Sequence, residues 1–218
     1  MKRRPLLAAA ATWPAGVGAT PAALISAAEA GDVAAVWRLL DAGTPVDASD
    51  ARKRTALLAA THANRIDAAR LLIERGANVN AKDDIQDSPF LYAGAQGHLE
   101  ILRLTLAAGA DLKSTNRYGG TALIPAAHHG HVQTVRELLK TKIDVNHVNR
   151  LGWTALLEAI ILGDGGTAHT EIVRLLVARG ADVNIADAEG VTPLVHAEQR
   201  GQAVIADALR RAGARHKG

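Results

Sequence analysis

Short segments of the chain carry apolar side chains at helical spacing, and the same spacing returns along most of the sequence. The clearest stripes are Val36, Leu39 and Leu40; Ala69, Leu72 and Ile73; Val135, Leu138 and Leu139; and Val173, Leu176 and Val177. Each stripe places its apolar residues on one face of a short helix. A short helix cannot bury such a face alone, so the pattern predicts helices that pack side by side in a continuous stack.

A four-residue box that begins with threonine or serine divides the chain into regular units. It starts at Thr55, Ser88, Thr121, Thr154 and Thr192, at intervals of 33, 33, 33 and 38 residues. A second box keeps the same phase, and its copies begin at Gly43, Gly76, Gly109, Lys142 and Gly180. Two motifs that recur in phase at this period indicate a protein built from internal repeats.

From about residue 21 to the C-terminus, these two boxes resemble the ankyrin repeat family. The resemblance implies an all-α repeat solenoid of about six stacked repeats, each a β-turn finger followed by two antiparallel helices. The expected units are an N-terminal capping repeat at 20–54, repeats at 55–87, 88–120, 121–153 and 154–191, and a C-terminal capping repeat with a basic tail at 192–218. The fifth unit is five residues longer, and this insertion is placed at 164–168, between its two helices.

Capping residues and glycines agree with that unit. The threonine or serine that opens each box is a good N-cap, because its side-chain oxygen accepts a hydrogen bond from a free helix N–H. A left-handed backbone is expected between the two helices of a unit, at Gly97, Gly130, Gly163 and Gly201. Four other residues stand where equivalent units have a finger or turn glycine: Lys53, Asn64, Gln86 and Lys142. A left-handed backbone is expected at these positions too.

The first nineteen residues have the pattern of an export signal. A basic start at residues 2–4 precedes an uncharged, alanine-rich stretch, and Val17 and Ala19 stand at positions −3 and −1 of a cleavage site after Ala19. Arg3 and Arg4 also resemble part of a twin-arginine signal. We therefore expect a signal peptide at residues 1–19 and a periplasmic or exported protein, with a cytoplasmic protein as the alternative. Proline and glycine interrupt the apolar stretch, so no stable membrane anchor is expected.

Charge and composition narrow the function classes. The formal net charge is +3, and the three basic residues of the leader account for it, so no nucleic-acid binding is expected. The chain has no cysteine, which removes thiolate chemistry. The aspartates recur at equivalent positions of successive units, as turn-forming residues do. No catalytic residue and no cofactor are therefore expected.

Side chains that do not maintain the repeat are the candidates for contact with a partner. The resemblance implies a concave partner surface formed by the finger tips and by the first helix of each pair. The candidates are Arg52, Arg54, Lys82, Ile85, Arg117, Tyr118, Arg150, Leu151, Trp153, His128 and His129. Trp153 is either an interface anchor, since Trp, Tyr and Arg often dominate interface energy, or a ring folded onto the next finger. Trp37 is expected to pack in the core or the cap.

Three histidines, His128, His129 and His131, raise the question of a metal site. Adjacent helical residues are expected to point apart, and no fixed carboxylate completes a ligand set, so no metal is expected. The sequence thus predicts a non-enzymatic, monomeric scaffold that binds another protein. A secreted effector that acts on host proteins is the alternative, and a metal-binding or enzymatic protein is less favoured.

Overall fold

Twelve helices make up the part of the chain that the computed structural model describes, residues 19–217. The signal peptide expected at residues 1–19 lies outside this part except for Ala19. The helices are α1 Pro21–Ala30, α2 Val33–Asp41, α3 Ala56–His62, α4 Ile66–Glu74, α5 Pro89–Gln96, α6 Leu99–Ala107, α7 Leu123–His128, α8 Val132–Leu139, α9 Ala155–Ile161, α10 Thr167–Ala178, α11 Pro193–Gln199 and α12 Ala203–Arg211.

The helices form six consecutive pairs that stack in two layers. The odd-numbered helices pack on one another in sequence and form the first layer, and the even-numbered helices form the second. The predicted all-α solenoid is confirmed, and the described residues contain no strand. None of the described helices combines the length and hydropathy that crossing a membrane requires. One continuous core of alanine, leucine, isoleucine and valine runs through all six pairs, with Phe90 as its largest side chain.

Side-chain caps begin most helices of the first layer. Thr55, Ser88, Thr154 and Thr192 each accept a hydrogen bond from the backbone N–H three residues later, at 3.2–3.5 Å. The same cap predicted for Thr121 is wrong, since its buried hydroxyl makes no hydrogen bond. Pro125 has no N–H to donate to the Thr121 carbonyl, and the first turn closes instead through Ile124 N–H.

Each finger is a turn held by one aspartate or asparagine. Asn116 is typical, because its side-chain oxygen accepts the backbone N–H groups of Tyr118 and Gly120 at 2.9 and 3.0 Å. The same arrangement occurs at Asp50, Asp83, Asn149 and Asp187. These turns fix the position of the finger tips relative to the first layer.

Three of the residues expected in left-handed backbone adopt it. Lys53, Asn64 and Gln86 have φ values of 61°, 51° and 68°, where the finger or turn glycines of other units have similar angles. The prediction for Lys142 is wrong. In that unit the Thr141 hydroxyl donates to the Leu138 carbonyl and accepts from Ile143 N–H, which replaces the turn that needs a glycine.

The insertion of the fifth unit forms the 162–166 loop and lengthens α10 at its start. The left-handed residue lies at Gly165, with φ +69°, so the prediction for Gly163 is wrong. His169, in α10, hydrogen-bonds the Asp164 carboxylate at 2.7 Å and the His128 carbonyl at 2.8 Å. A side chain at Gly163 would collide with the Ala159 carbonyl and with His169, which explains why glycine is needed there.

Candidate functional site

The finger tips place a row of exposed side chains along one edge of the stack. Arg52, Ile85, Tyr118 and Leu151 occupy the same tip position at 33-residue intervals, and all four are exposed. The exposed fractions of the three apolar members are 48% for Ile85, 54% for Tyr118 and 51% for Leu151. We call these three residues the tip row, and we call the fingers together with the first-layer helices the finger face. Apolar side chains exposed at neighbouring repeats form a surface suited to contact with a protein.

Several of the basic candidate residues are engaged within the molecule. Arg54 pairs with Glu29 and Asp50, both at 3.3 Å. Lys82 Nζ donates to the Thr115 carbonyl at 2.6 Å. Lys82 therefore connects two neighbouring units, whereas Arg54 is paired within the first unit.

Two further arginines follow the same trend. Arg150 donates to the Arg117 carbonyl at 3.1 Å, across to the preceding finger. The Arg117 guanidinium lies 5.2 Å from the centre of the Tyr118 ring, and its Nη1 is 4.0 Å from Asp87 Oδ2. The guanidinium groups of Arg117 and Arg150 thus each contact the preceding finger.

The two tryptophans differ in how well they match the sequence-based expectations. Trp153 is partly buried, which leaves both interpretations of this residue open, and its backbone N–H donates to Asn149. Trp37, expected in the core or cap, is instead 47% exposed on α2. The Arg75 guanidinium of the next unit lies 5.6 Å from the Trp37 ring, so this ring is covered by a cation on the second layer.

A pocket of about 400 Å³ opens on the finger face beneath Tyr118 and Leu151. Its lining includes Asp87, Tyr92, His128 and Glu158. The structure thus gathers side chains from the second to the fifth units around one cavity.

Glu158 is the residue of this pocket that sequence reasoning missed. It lies in α9 and is only 7% exposed. Its Oε1 accepts a hydrogen bond from Asn149 Nδ2 at 2.9 Å, while its Oε2 lies 3.8 Å from His128 Nδ1. Burial raises the pKa of Glu158 to about 7, and the Asn149 hydrogen bond only partly opposes this rise. The signal in the sequence was a lone carboxylate in the otherwise apolar helix segment ALLEAII.

The pair of positions equivalent to Asn149 and Glu158, 38 residues further along the chain, has the acid on the finger and the base on the helix. There the finger residue is Asp187, and the helix residue equivalent to Glu158 is His196. The two side chains hydrogen-bond at 2.6 Å, so the buried carboxylate has a basic partner. Glu158 faces an amide instead and therefore keeps one oxygen for another ligand.

Asp87 is a second acidic group on the pocket wall. Burial raises the pKa of its carboxyl, and the neighbouring charge of Asp83 adds to the rise. Burial also raises the pKa of the Tyr92 hydroxyl, with a further contribution from Asp87. Two partly desolvated carboxyl groups therefore line the pocket, together with the guanidinium of Arg117.

Their adjacency predicts that His128 and His129 point apart, but the structure shows that they do not. Their rings stack with centroids 4.3 Å apart, because α7 ends at His128 and His129 already has the backbone of a helix cap. Burial lowers the pKa of His128, and the positive charges that His129 and His169 can carry lower it further. The expectation that no fixed carboxylate lies nearby is also wrong, since Glu158 is adjacent. Within residues 19–217 no group of three or more metal-ligating side chains is arranged to hold an ion.

A second cavity of about 480 Å³ lies next to the first fingers, lined by Arg52, Arg54, His62, Asp83 and Ile85 among others. Burial lowers the pKa of His62, and its buried Nε2 has no hydrogen-bond partner. The His62 ring instead packs on Tyr92 with centroids 4.1 Å apart. Acids and arginines alternate around this cavity, so its charges are largely matched.

Comparison with known proteins assigns the repeats. The family model for ankyrin repeats in three copies matches residues 7–83 and 90–187. A crystal structure of an ankyrin repeat domain from Acinetobacter baumannii AYE is 59% identical, with a TM-score of 0.86 over 88% of this chain and 98% of that one. The ankyrin repeat protein EF0377 is 42% identical, with a TM-score of 0.85 and the same coverage of both chains.

A curated relative extends the comparison to Escherichia coli K12. The ankyrin repeat protein YahD is 47% identical over 57 residues, which are 26% of this chain. The match covers 28% of YahD, so this chain spans little more than a quarter of that relative. The family model matches well over half of the sequence, and the fold agrees along nearly the whole described part. The chain belongs to the ankyrin repeat family.

Proposed function

We propose that this protein is a non-enzymatic scaffold that binds another protein through its finger face. Members of this family are generally binding scaffolds. The observation that carries the proposal is the tip row, in which Ile85, Tyr118 and Leu151 remain about half exposed at successive units. The repeat frame does not require large apolar side chains there, because the equivalent tips of the first and fifth units are Arg52 and Glu189.

The tip row gives a direct test. Replacing Ile85, Tyr118 and Leu151 together with serine is expected to weaken partner binding by about 30-fold or more, because interface hot spots contribute roughly 2 kcal/mol or more. Partners are recovered by in-cell cross-linking and mass spectrometry, and affinity is then measured for the purified pair. The control is Val204→Ser, since Val204 is 56% exposed on the second layer. An unchanged partner set in the triple variant, with circular dichroism like that of the wild type, contradicts the proposal.

We also propose that the protein acts after export, in the periplasm or outside the cell. The support is the basic start, the uncharged alanine-rich stretch and the small residues before position 20. When residues 1–25 are fused to a reporter, the reporter is expected to leave the cytoplasm with cleavage after Ala19. Replacing Arg3 and Arg4 with lysine distinguishes the routes, since it stops twin-arginine export and leaves Sec export active. A reporter retained with an uncut leader argues against export.

A further inference from the structure

We propose that the 400 Å³ pocket beneath Tyr118 and Leu151 receives a basic side chain, arginine or lysine, from the protein that binds the finger face. This inference rests on the proposed function and adds the chemistry that the partner must present.

Two carboxylates in the pocket have unused hydrogen-bonding capacity. Glu158 Oε1 accepts from Asn149, but no group in residues 19–217 donates a hydrogen bond to Glu158 Oε2, whose nearest basic atom is His128 Nδ1 at 3.8 Å. The Asp87 carboxylate likewise accepts none within the described part, and Arg117 Nη1 stands 4.0 Å away. A buried carboxylate oxygen without a donor is costly, and a donor that reaches Glu158 Oε2 recovers that cost.

The basic side chains of residues 19–217 leave Glu158 Oε2 without a donor. Arg117 also lines the pocket, but it pairs with Asp87 at 4.0 Å, and no lysine or arginine of this part forms an ion pair with Glu158. Arg150 is held by the Arg117 carbonyl, and desolvation keeps His128 neutral near pH 7 by lowering its pKa. The cation that complements Glu158 is therefore assigned to the bound partner.

The remaining walls suit the long stem of a basic side chain. Tyr92, Tyr118, Leu151 and Leu162 line the same cavity, so methylene groups would lie against rings and aliphatic carbons. The Tyr118 ring lies 5.2 Å from the guanidinium of Arg117, so this ring can contact a cation without steric conflict. An acidic partner segment would be repelled by both carboxylates, and a purely apolar one would leave Glu158 Oε2 without a donor.

Peptide selection tests this chemistry with defined probes. A displayed random peptide library is selected on the full-length protein at pH 8, in parallel with Glu158→Gln and Glu189→Gln. Glu189 makes a suitable control because it is an exposed fingertip carboxylate of the fifth unit, outside the pocket. We expect wild-type protein and Glu189→Gln to select peptides with arginine or lysine at one fixed position. Glu158→Gln should lose this preference.

Calorimetric titration of a selected synthetic peptide then measures the coupling. Replacing its basic residue with glutamine should weaken binding to wild type at least tenfold, and should have little effect on Glu158→Gln. Exchanging arginine and lysine shows which cation fits better. Peptides selected without a basic residue but lost in the tip-row variant would overturn the pocket assignment and leave the finger face intact. Failure to select any peptide on the finger face would overturn both proposals.

Discussion

Replacing Phe90 with alanine is expected to lower the free energy of unfolding by about 3–5 kcal/mol. Phe90 is fully buried in α5 and is the largest side chain of the core. Its removal would leave a cavity between the second, third and fourth units, because the surrounding helices are held at fixed spacing by their own contacts. Chemical denaturation followed by circular dichroism at constant pH measures the change.

Phe90→Leu is the matched control for this experiment. The other five units carry leucine at the equivalent position, and all five are buried: Leu24, Leu57, Leu123, Leu156 and Leu194. A leucine should therefore be accommodated at a cost below about 1.5 kcal/mol. If alanine and leucine cost the same, the ring does not fill a space that the neighbouring units need, and the interpretation of this core position is wrong.

Glu158→Gln is expected to stabilise the protein at alkaline pH by up to about 3 kcal/mol, and to have little effect near pH 4.5. The pKa of Glu158 is about 7 in the folded protein, against an ordinary value of 4.5. The folded state therefore holds a proton that the unfolded state has lost between these two values. Stability contributed by this residue falls as pH rises through this window, and glutamine, which cannot ionise, removes that loss.

The measurement compares the variant with wild type at each pH from 4.5 to 8.5. The comparison is needed because burial lowers the pKa of His62, His98, His128 and His131. Below pH 6.5 those histidines make the free energy of unfolding rise with pH, the opposite of the effect of Glu158. Both proteins carry the same histidines, so this contribution cancels when wild type is subtracted from the variant. Asp32→Asn, at an exposed helix cap, is the control that should show no gain at pH 8.5. A difference between Glu158→Gln and wild type that does not vary with pH would show that the Glu158 carboxyl titrates normally.

Local chemistry made most of the fold predictable. The period of the boxes, the capping residues and the apolar stripes each act within one unit or between neighbouring units, so they are readable from sequence. Lys53 and Gln86 illustrate this, because the finger turn demands left-handed backbone whatever residue occupies it. Lys142 shows the limit, since one hydroxyl at Thr141 redirected the turn by a hydrogen bond that no repeat pattern contains.

The tip row was also predictable, whereas the pocket was not. Ile85, Tyr118 and Leu151 stand out because equal spacing along a regular stack places them at equal positions in space. Asp87 and Glu158 are 71 residues apart and belong to different units. Their shared cavity and their altered ionisation depend on how much water the surrounding units exclude.

The sequence by itself thus determined the repeat, the helix pairs and the spacing of the exposed tip row, because short-range hydrogen bonding and apolar periodicity fix them. Only the tertiary structure decided that Arg117 and Arg150 contact the preceding fingers. It also decided that the Glu158 carboxylate, with one oxygen hydrogen-bonded and one without a donor, lies in the pocket beside Tyr118. The physical reason is that the desolvation of Glu158 depends on all the units that pack around it. No single segment of the sequence therefore predicts how far its pKa is raised.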